Sequence, residues 1–252
     1  MYIKTTGLVL RETAYKESSR ILTVLTSTEG KLTVSARGAK RRTSKTAASA
    51  QLLAYSEMTL FSERGHYTLT EARSIELFEG LRDDVERLSL GTYFAELLET
   101  VSDEDMPNPE VLSLGLNALF ALSEGKHDIE LIKAAFELRL MCIAGFEPLI
   151  GGCTVCGNTD MEHPVFNLMG GVVHCSTCAS PGEGKSIRLG AGTLDAMRHI
   201  ISVDVKRLYS FSVGEATKKQ LCHVCEEYLT SQLGTSFRTL DFYHSLVKFR
   251  LE

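Results

Sequence analysis

The sequence predicts an α+β protein: a small N-terminal barrel of five strands, then an α-helical domain carrying an inserted four-cysteine metal module. Three observations predict it. Strand-forming residues fill the first 75 positions in short runs, and from about Asp83 the apolar residues recur every three or four positions. Two Cys-x-x-Cys pairs then interrupt the helical pattern between positions 151 and 187.

In the first module, Ile3, Leu8, Val9 and Leu10 open a strand running to Tyr15, and Ile21, Leu22, Val24 and Leu25 form the next. Thr28-Glu29-Gly30-Lys31 is a turn in which Gly30 supplies a positive φ, and Leu32 to Ala36 follows it. Beyond a polar, basic loop, Tyr55–Phe61 and His66–Ala72 flank a turn at Glu63-Arg64-Gly65. Five short strands with little helix fit a closed barrel of the OB type. A three-on-two sandwich or an SH3-like barrel gives a similar pattern.

The helical part begins with Val85, Leu88, Phe94, Leu97, Leu98 and Val101 on one side of a helix. Pro107-Asn108-Pro109 separates it from a second helix through Val111, Leu112, Leu116, Leu119 and Leu122, stopped by Gly125. A third runs from Ile129 to about Ala144, with Gly145 as its stop. Helices resume at Thr193–Ile201. Ser212-Val213-Gly214-Glu215 has the form of a capping box and opens a long helix reaching Leu233, and residues 239–249 form a last short one. The expected domains are therefore 1–80 and 81–252, the second containing the cysteine module at 151–187.

Cys153-x-x-Cys156 and Cys175-x-x-Cys178 carry the strongest chemical signal. Each pair on a tight turn presents two thiolates, and the segment between folds back to complete a tetrahedron around one structural Zn²⁺, with no open position for catalysis. An iron–sulfur cluster or four unrelated buried thiols are the alternatives. His163 and His174 lie close in sequence and are expected to be bystanders. Cys222-His223-Val224-Cys225 mimics a second half-site. It falls at core spacing with Leu221, Tyr228 and Leu229, so it reads as helix packing, as does Cys142.

The formal net charge is −5, but its distribution is uneven. Residues 1–50 hold ten Lys or Arg against three Asp or Glu, whereas residues 51–140 hold seven against eighteen. Arg37-Gly38-Ala39-Lys40-Arg41-Arg42-Thr43-Ser44-Lys45 concentrates the basic excess, and no acidic residue falls between Val34 and Glu57. Such a run is often only a solvated loop. At the rim of a basic barrel it reads as a phosphate-contacting loop. Tyr15, Tyr55, Phe61 and Tyr67 are available for base stacking, though barrel aromatics commonly serve the core; Tyr15, at a strand end beside Lys16, is the preferred one.

No phosphate-binding Gly-x-x-x-x-Gly-Lys-Ser/Thr loop, His-Glu-x-x-His or Gly-x-Ser-x-Gly sequence is present. Asp103-Glu104-Asp105, the dense carboxylate run, follows a helix and precedes a proline turn, the signature of a solvated helix end. No apolar run approaches the roughly 20 residues of a membrane span, and Met1–Thr6 lacks a signal-peptide layout, so a cytosolic protein is expected.

Taken together these residues resemble the RecO family. In the barrel, Gly7, Tyr15, Glu17, Ser18, Thr26 and Gly30 match the family's opening pattern, followed by Arg37-Gly38-Ala39, Ala50-Gln51-Leu52 and Glu71-Ala72. Gly145-Phe146-Glu147-Pro148, Phe166 with Gly170-Gly171, Tyr228 and Leu233-Gly234 with Arg238 continue the resemblance to the C-terminus. It implies an OB-fold domain followed by a helical domain with an inserted zinc finger. It also implies a recombination and repair mediator, not an enzyme, that binds single- and double-stranded DNA and anneals complementary strands. Such proteins act with RecR to help RecA replace single-strand-binding protein, with RecF as a further candidate partner, in the cytoplasm and at the damaged nucleoid.

Carried over, the DNA contacts would be Arg37, Lys40, Arg41, Arg42 and Lys45, with Arg11 and Arg20 as weaker candidates. Lys218, Lys219 and Arg238 would meet the acidic C-terminal tail of single-strand-binding protein. The chain departs from the family in its strongly acidic middle and in Arg238-Thr239-Leu240-Asp241, where relatives often carry a further Lys-Ser. Two other classes compete: a nucleic-acid enzyme using a structural zinc ribbon, and a scaffold whose basic loop meets an acidic protein.

Overall fold

A computed structural model of the protein describes residues 1–41, 43–179 and 184–251, the side chains of Arg250 and Leu251 excepted. The chain forms two compact units, Met1–Glu124 together with Phe237–Glu252, and Gly125–Ser236.

The first unit is built on five strands, β1 (Tyr2–Tyr15), β2 (Ser19–Thr26), β3 (Lys31–Ala36), β4 (Tyr55–Glu63) and β5 (His66–Glu76). They close into a barrel in the order β1-β2-β3-β5-β4, and β3 pairs β5 in parallel while the other pairs are antiparallel. This topology is that of the OB fold and decides among the three arrangements compatible with the strand count. β1 closes the barrel because it serves two edges. Its first half pairs β4 and its second half pairs β2, with a register shift between Val9 and Arg11 that bends the strand from one partner to the other. Val9, Leu22, Val24, Leu32, Val34, Met58, Leu60 and Leu69 fill the interior.

Gly30 turns β2 into β3 with φ of +73°, and a Cβ there would lie 2.4 Å from the main-chain nitrogen of Met106. Gly38 has φ of +70° but open space around it. Gly30→Ala is therefore expected to cost about 3 kcal/mol, conformation and overlap together, and Gly38→Ala only about 1 kcal/mol. Urea midpoints of the two variants check the difference; equal losses would show that Met106 yields to the new methyl.

Helix α1 (Val85–Val101) starts where the Asp84 carboxylate accepts the N–H groups of Glu86 and Arg87, and α2 (Pro109–Glu124) starts at Asn108, whose side chain accepts from Val111. The last helix of the chain, α6 (Arg238–Leu251), packs on α1: the ring of Phe237 meets Tyr93 at 5.9 Å, and Glu96 accepts the N–H of Thr239.

The second unit contains α3 (Ile129–Ile143), a small sheet of β6 (Val165–Asn167), β7 (Val172–His174) and β8 (Ser186–Arg188) in the order β7-β6-β8, then α4 (Ala191–Ser202) and α5 (Glu215–Leu233). Buried on α3, Lys133 binds Glu137 at 2.8 Å and Glu226 of α5 at 2.6 Å. Burial lowers its pKa, but the two carboxylates outweigh that and hold it above the ordinary lysine value. The expected capping box does not form. α5 begins at Glu215 with Gly214 as its N-cap, and the Glu215 carboxylate is engaged by Lys218 at 3.1 Å, so it does not reach back toward Ser212.

Candidate nucleic-acid interface and metal centre

Side chains alternate across a strand, so the residues of β2 and β3 that do not fill the barrel face outward. Ile21 lies opposite Ser35 across this pair. With Ser19 and Thr33 they floor a cleft of about 410 Å³, walled by Tyr15 and Lys16 of the β1–β2 turn and by His66, Tyr67 and Thr68 at the start of β5. Arg37 lines it as well. This is the β2–β3 face framed by the β1–β2 and β4–β5 loops, the surface on which OB barrels hold oligonucleotides. Tyr15 is 46 % exposed, with the Lys16 ammonium 5.2 Å from its ring centre. Of the other candidate aromatics, Tyr55 is half-buried and donates to Thr6 Oγ1, whereas Tyr67 packs partly on the barrel interior and donates to Asp105. Burial and then Asp105 push the Tyr67 hydroxyl above its ordinary pKa.

The basic loop leaves this cleft at Arg37. Gly38 turns the chain, and Ala39 is buried against the barrel interior, which accounts for the Arg-Gly-Ala sequence. Main-chain bonds set the loop: Lys40 N–H to Ser18, Arg41 N–H to Gly38, Ser44 N–H to Arg41. Buried Ala50 and Leu53 anchor its far end. Arg37, Lys40, Arg41 and Lys45 are all exposed, and Arg42 lies outside the described residues. The weaker candidates are engaged inside the unit. Arg20 bridges Glu12 at 2.9 Å and the Ala50 carbonyl at 3.1 Å, and thereby pins the loop; Arg11 pairs with Glu99 at 2.8 Å.

Sequence reasoning passed over His66, Thr33 and Ser35. The parallel pairing of β3 with β5, which brings His66 and Tyr67 beside β3, has no local signature.

In the second unit, Cys153, Cys156, Cys175 and Cys178 place their sulfur atoms all within 4.8 Å of one another, and Cys156 and Cys175 are 3.8 Å apart. A tetrahedral ion with metal–sulfur bonds of about 2.3 Å separates its ligands by about 3.8 Å, so the donor set fits a zinc site. Two turns build it. Gly157, at φ of +75°, donates to the Cys153 carbonyl, and the N–H groups of Cys178 and Ala179 return to Cys175. Arg198 of α4 fixes the first turn from behind, donating to Ile150 at 2.9 Å and Gly151 at 3.0 Å.

The N–H groups of Cys156 and Cys175 stabilise the Cys153 thiolate and hold its pKa at about 5, whereas the Cys178 thiol donates to Cys175 and Cys156 and so keeps its proton, with a pKa pushed up to about 12. Cys222 and Cys225 share the spacing and none of this chemistry. Burial pushes Cys222 up to about 12 and Cys225 well above its ordinary value, as expected of core thiols. Among the described residues, the four-cysteine cluster is the one group of three or more His, Cys, Asp or Glu able to share an ion. His163 and His174 stand outside it. The carboxylates of Asp103, Glu104 and Asp105 are exposed at the end of α1, in keeping with a solvated helix end.

The segments that carry the family resemblance meet here. Phe166 packs on Tyr228 at 5.2 Å, the Tyr228 hydroxyl donates to the Phe146 carbonyl at 2.9 Å, and a Cβ on Gly171 would lie 2.7 Å from that hydroxyl oxygen. Of the candidate partner contacts, Lys218 lies among three carboxylates, Asp128, Glu130 and Glu215, at 3.0–3.2 Å. Lys219 and Arg238 are exposed.

Comparison with known proteins agrees with both halves of this description. Residues 1–78 match the family profile described as Recombination protein O N terminal, and residues 82–241 match that described as Recombination protein O C terminal. The chain is 32 % identical to the DNA repair protein RecO of Acetivibrio thermocellus, over 97 % of both chains. It is 31 % identical to that of Alkaliphilus metalliredigens, over 96 % of this chain and 98 % of the other. With that of Bacillus pumilus it shares 30 % identity, over 98 % and 95 %. An OB barrel with a basic, acid-free loop, a helical unit with a four-cysteine module, and family profiles spanning both place this chain in the RecO family of DNA repair and recombination proteins.

Proposed function

We propose that the protein is a DNA-binding recombination mediator that works by holding strands and performs no bond chemistry. It binds single- and double-stranded DNA through the barrel module of residues 1–80 and promotes annealing. With RecR it helps RecA load on DNA coated by single-strand-binding protein. RecF is a further partner, and the setting is the cytoplasm, at the nucleoid when DNA is damaged. The observation that carries the reading is the juxtaposition of an aromatic- and hydroxyl-lined cleft with Arg37 and the exposed cations that follow it.

Each cation that meets a phosphate releases condensed counterions, which favours binding without reading sequence. Two backbones neutralised on one basic surface lose the repulsion that slows their pairing. One Zn²⁺ held by Cys153, Cys156, Cys175 and Cys178 stabilises the second unit; with four thiolates as ligands it has no open position for substrate. Lys219 of the second unit is a proposed contact for an acidic partner tail, since the charge of its neighbour Lys218 is already balanced by three carboxylates, and Arg238 of the first unit is a separate candidate.

A salt series of anisotropy measurements on labelled oligothymidylate tests the reading. If Arg37, Lys40, Arg41, Arg42 and Lys45 all meet phosphates, the logarithm of affinity falls with the logarithm of salt with a slope of about −3.5. A slope near zero, or no binding at low salt, would sink it.

A further inference from the structure

A second cleft adjoins the first and is not part of the β2–β3 face. It is lined by Tyr2, Arg37, Phe61, Glu63, Arg64, His66, Thr68 and Thr70, and its volume is about 660 Å³. Arg37, His66 and Thr68 belong to both clefts. The strand registers show why the two are continuous. Ile21 lies opposite Ser35, Ser35 opposite Thr68, Thr68 opposite Phe61, and Phe61 opposite Tyr2. These five residues form one row crossing β2, β3, β5, β4 and β1. With neighbouring strands about 4.8 Å apart, the row runs about 19 Å around the barrel.

Its far end is aromatic. The rings of Tyr2 and Phe61 lie 5.3 Å apart at 56°, and Tyr2 is 67 % exposed. A cross-strand aromatic pair closing β1 on β4 would be accounted for by packing alone. Packing does not require that the outer ring face water, nor that the surrounding surface be cationic. Arg64 and His66 are exposed beside the pair, and Arg37 is shared with the first cleft. Among the described residues that line the cleft, Glu63 is the single carboxylate, so two guanidinium groups outweigh it.

We infer that Tyr2 and Phe61 form a base-stacking platform for single-stranded DNA: the strand on the β2–β3 face continues past Arg37 and His66, and an unpaired base lies against the Tyr2 ring. The inference rests on the barrel interface proposed above and adds a discrimination that cations alone do not supply. A phosphate clamp holds single strands and duplex alike, whereas a ring stacks only on a base freed from its own helix. The platform therefore makes this end of the path selective for single strands.

The test compares native protein with the double variant Tyr2→Leu, Phe61→Leu, which keeps apolar bulk at the β1–β4 seam and removes both π faces. Affinities for oligothymidylate and for a duplex of equal length are read by anisotropy, alongside thermal melting. The expected result is a loss of about tenfold for the single strand, the size of one stacking interaction, with duplex affinity within about twofold and melting nearly unchanged. A bromodeoxyuridine-substituted strand should also photocrosslink to Tyr2 in the native protein. Unchanged affinity for both DNA forms would overturn the platform, leaving the pair as seam packing. So would an equal loss for both forms with melting unchanged, and, should the double variant melt lower, the absence of a crosslink to Tyr2 in the native protein. Native protein that binds neither form would overturn the barrel interface as a whole, whereas native binding with an indifferent double variant overturns the platform alone.

Discussion

Removing the metal is expected to lower the melting temperature by about 10–20 °C. A closed thiolate site has little preformed existence in an unfolded chain, so the free energy of binding enters folding directly; in small zinc modules it amounts to about 10–16 kcal/mol. Even about 5 kcal/mol of that, lost from a chain of this size, gives the shift stated. The geometry indicates where the loss falls. Between the two cysteine turns runs the β6–β7 hairpin, whose Phe166 packs on Tyr228 of α5, and the first turn is tied to α4 through Arg198. Without an ion, four thiols that pack within 4.8 Å have no common partner, and these attachments lose their anchor. The measurement is metal content by mass spectrometry together with melting, before and after treatment with a strong chelator. One zinc per chain is expected, retained in Cys222→Ala and lost in Cys175→Ser. Melting unchanged by complete metal removal would refute the structural role.

The barrel and the cysteine site were legible in the sequence for different reasons. Strand positions showed because inward residues such as Leu22, Val24, Leu32 and Val34 alternate with polar ones or form short apolar runs, a local signal that burial then bears out. The four cysteines showed because a metal's ligand spacing is dictated by turn geometry and survives whatever surrounds it. What did not show is non-local. Arg11, Arg20 and Lys218 are ordinary surface cations in the sequence, and their partners Glu99, Ala50 and Asp128 lie far away along the chain. His66 and Thr68 became cleft residues through the parallel β3–β5 pairing, and Tyr2 joined Phe61 only through barrel closure. The start of α5 was misjudged because a capping-box sequence is only an offer. Here the Glu215 carboxylate is held by Lys218 instead.

Neutralising the basic loop is expected to reduce affinity for single-stranded DNA by between about tenfold and a thousandfold at 0.15 M salt. For single strands the affinity varies with salt to the power of about −0.7 for each phosphate neutralised, so each such cation contributes about fourfold at that concentration. If two of the cations meet phosphates the lower figure applies, and if all five do, the upper. The variant replaces Arg37, Lys40, Arg41, Arg42 and Lys45 by glutamine, and the slope against salt should become shallower by about 0.7 for every phosphate no longer neutralised. Four of these side chains are exposed, and the loop's course is set by main-chain bonds and by buried Ala39, Ala50 and Leu53, so the fold should tolerate the change. Duplex affinity should fall alongside, because backbone neutralisation does not distinguish the two forms. That shared loss separates the loop from the Tyr2–Phe61 platform, whose removal affects single strands alone. Annealing of complementary strands should slow in the loop variant at protein concentrations where the native chain is active. Native-like affinity with an unchanged salt slope would show that the loop is solvated and touches no phosphate. Reduced affinity with normal annealing would separate DNA binding from strand pairing and refute charge neutralisation as the mechanism.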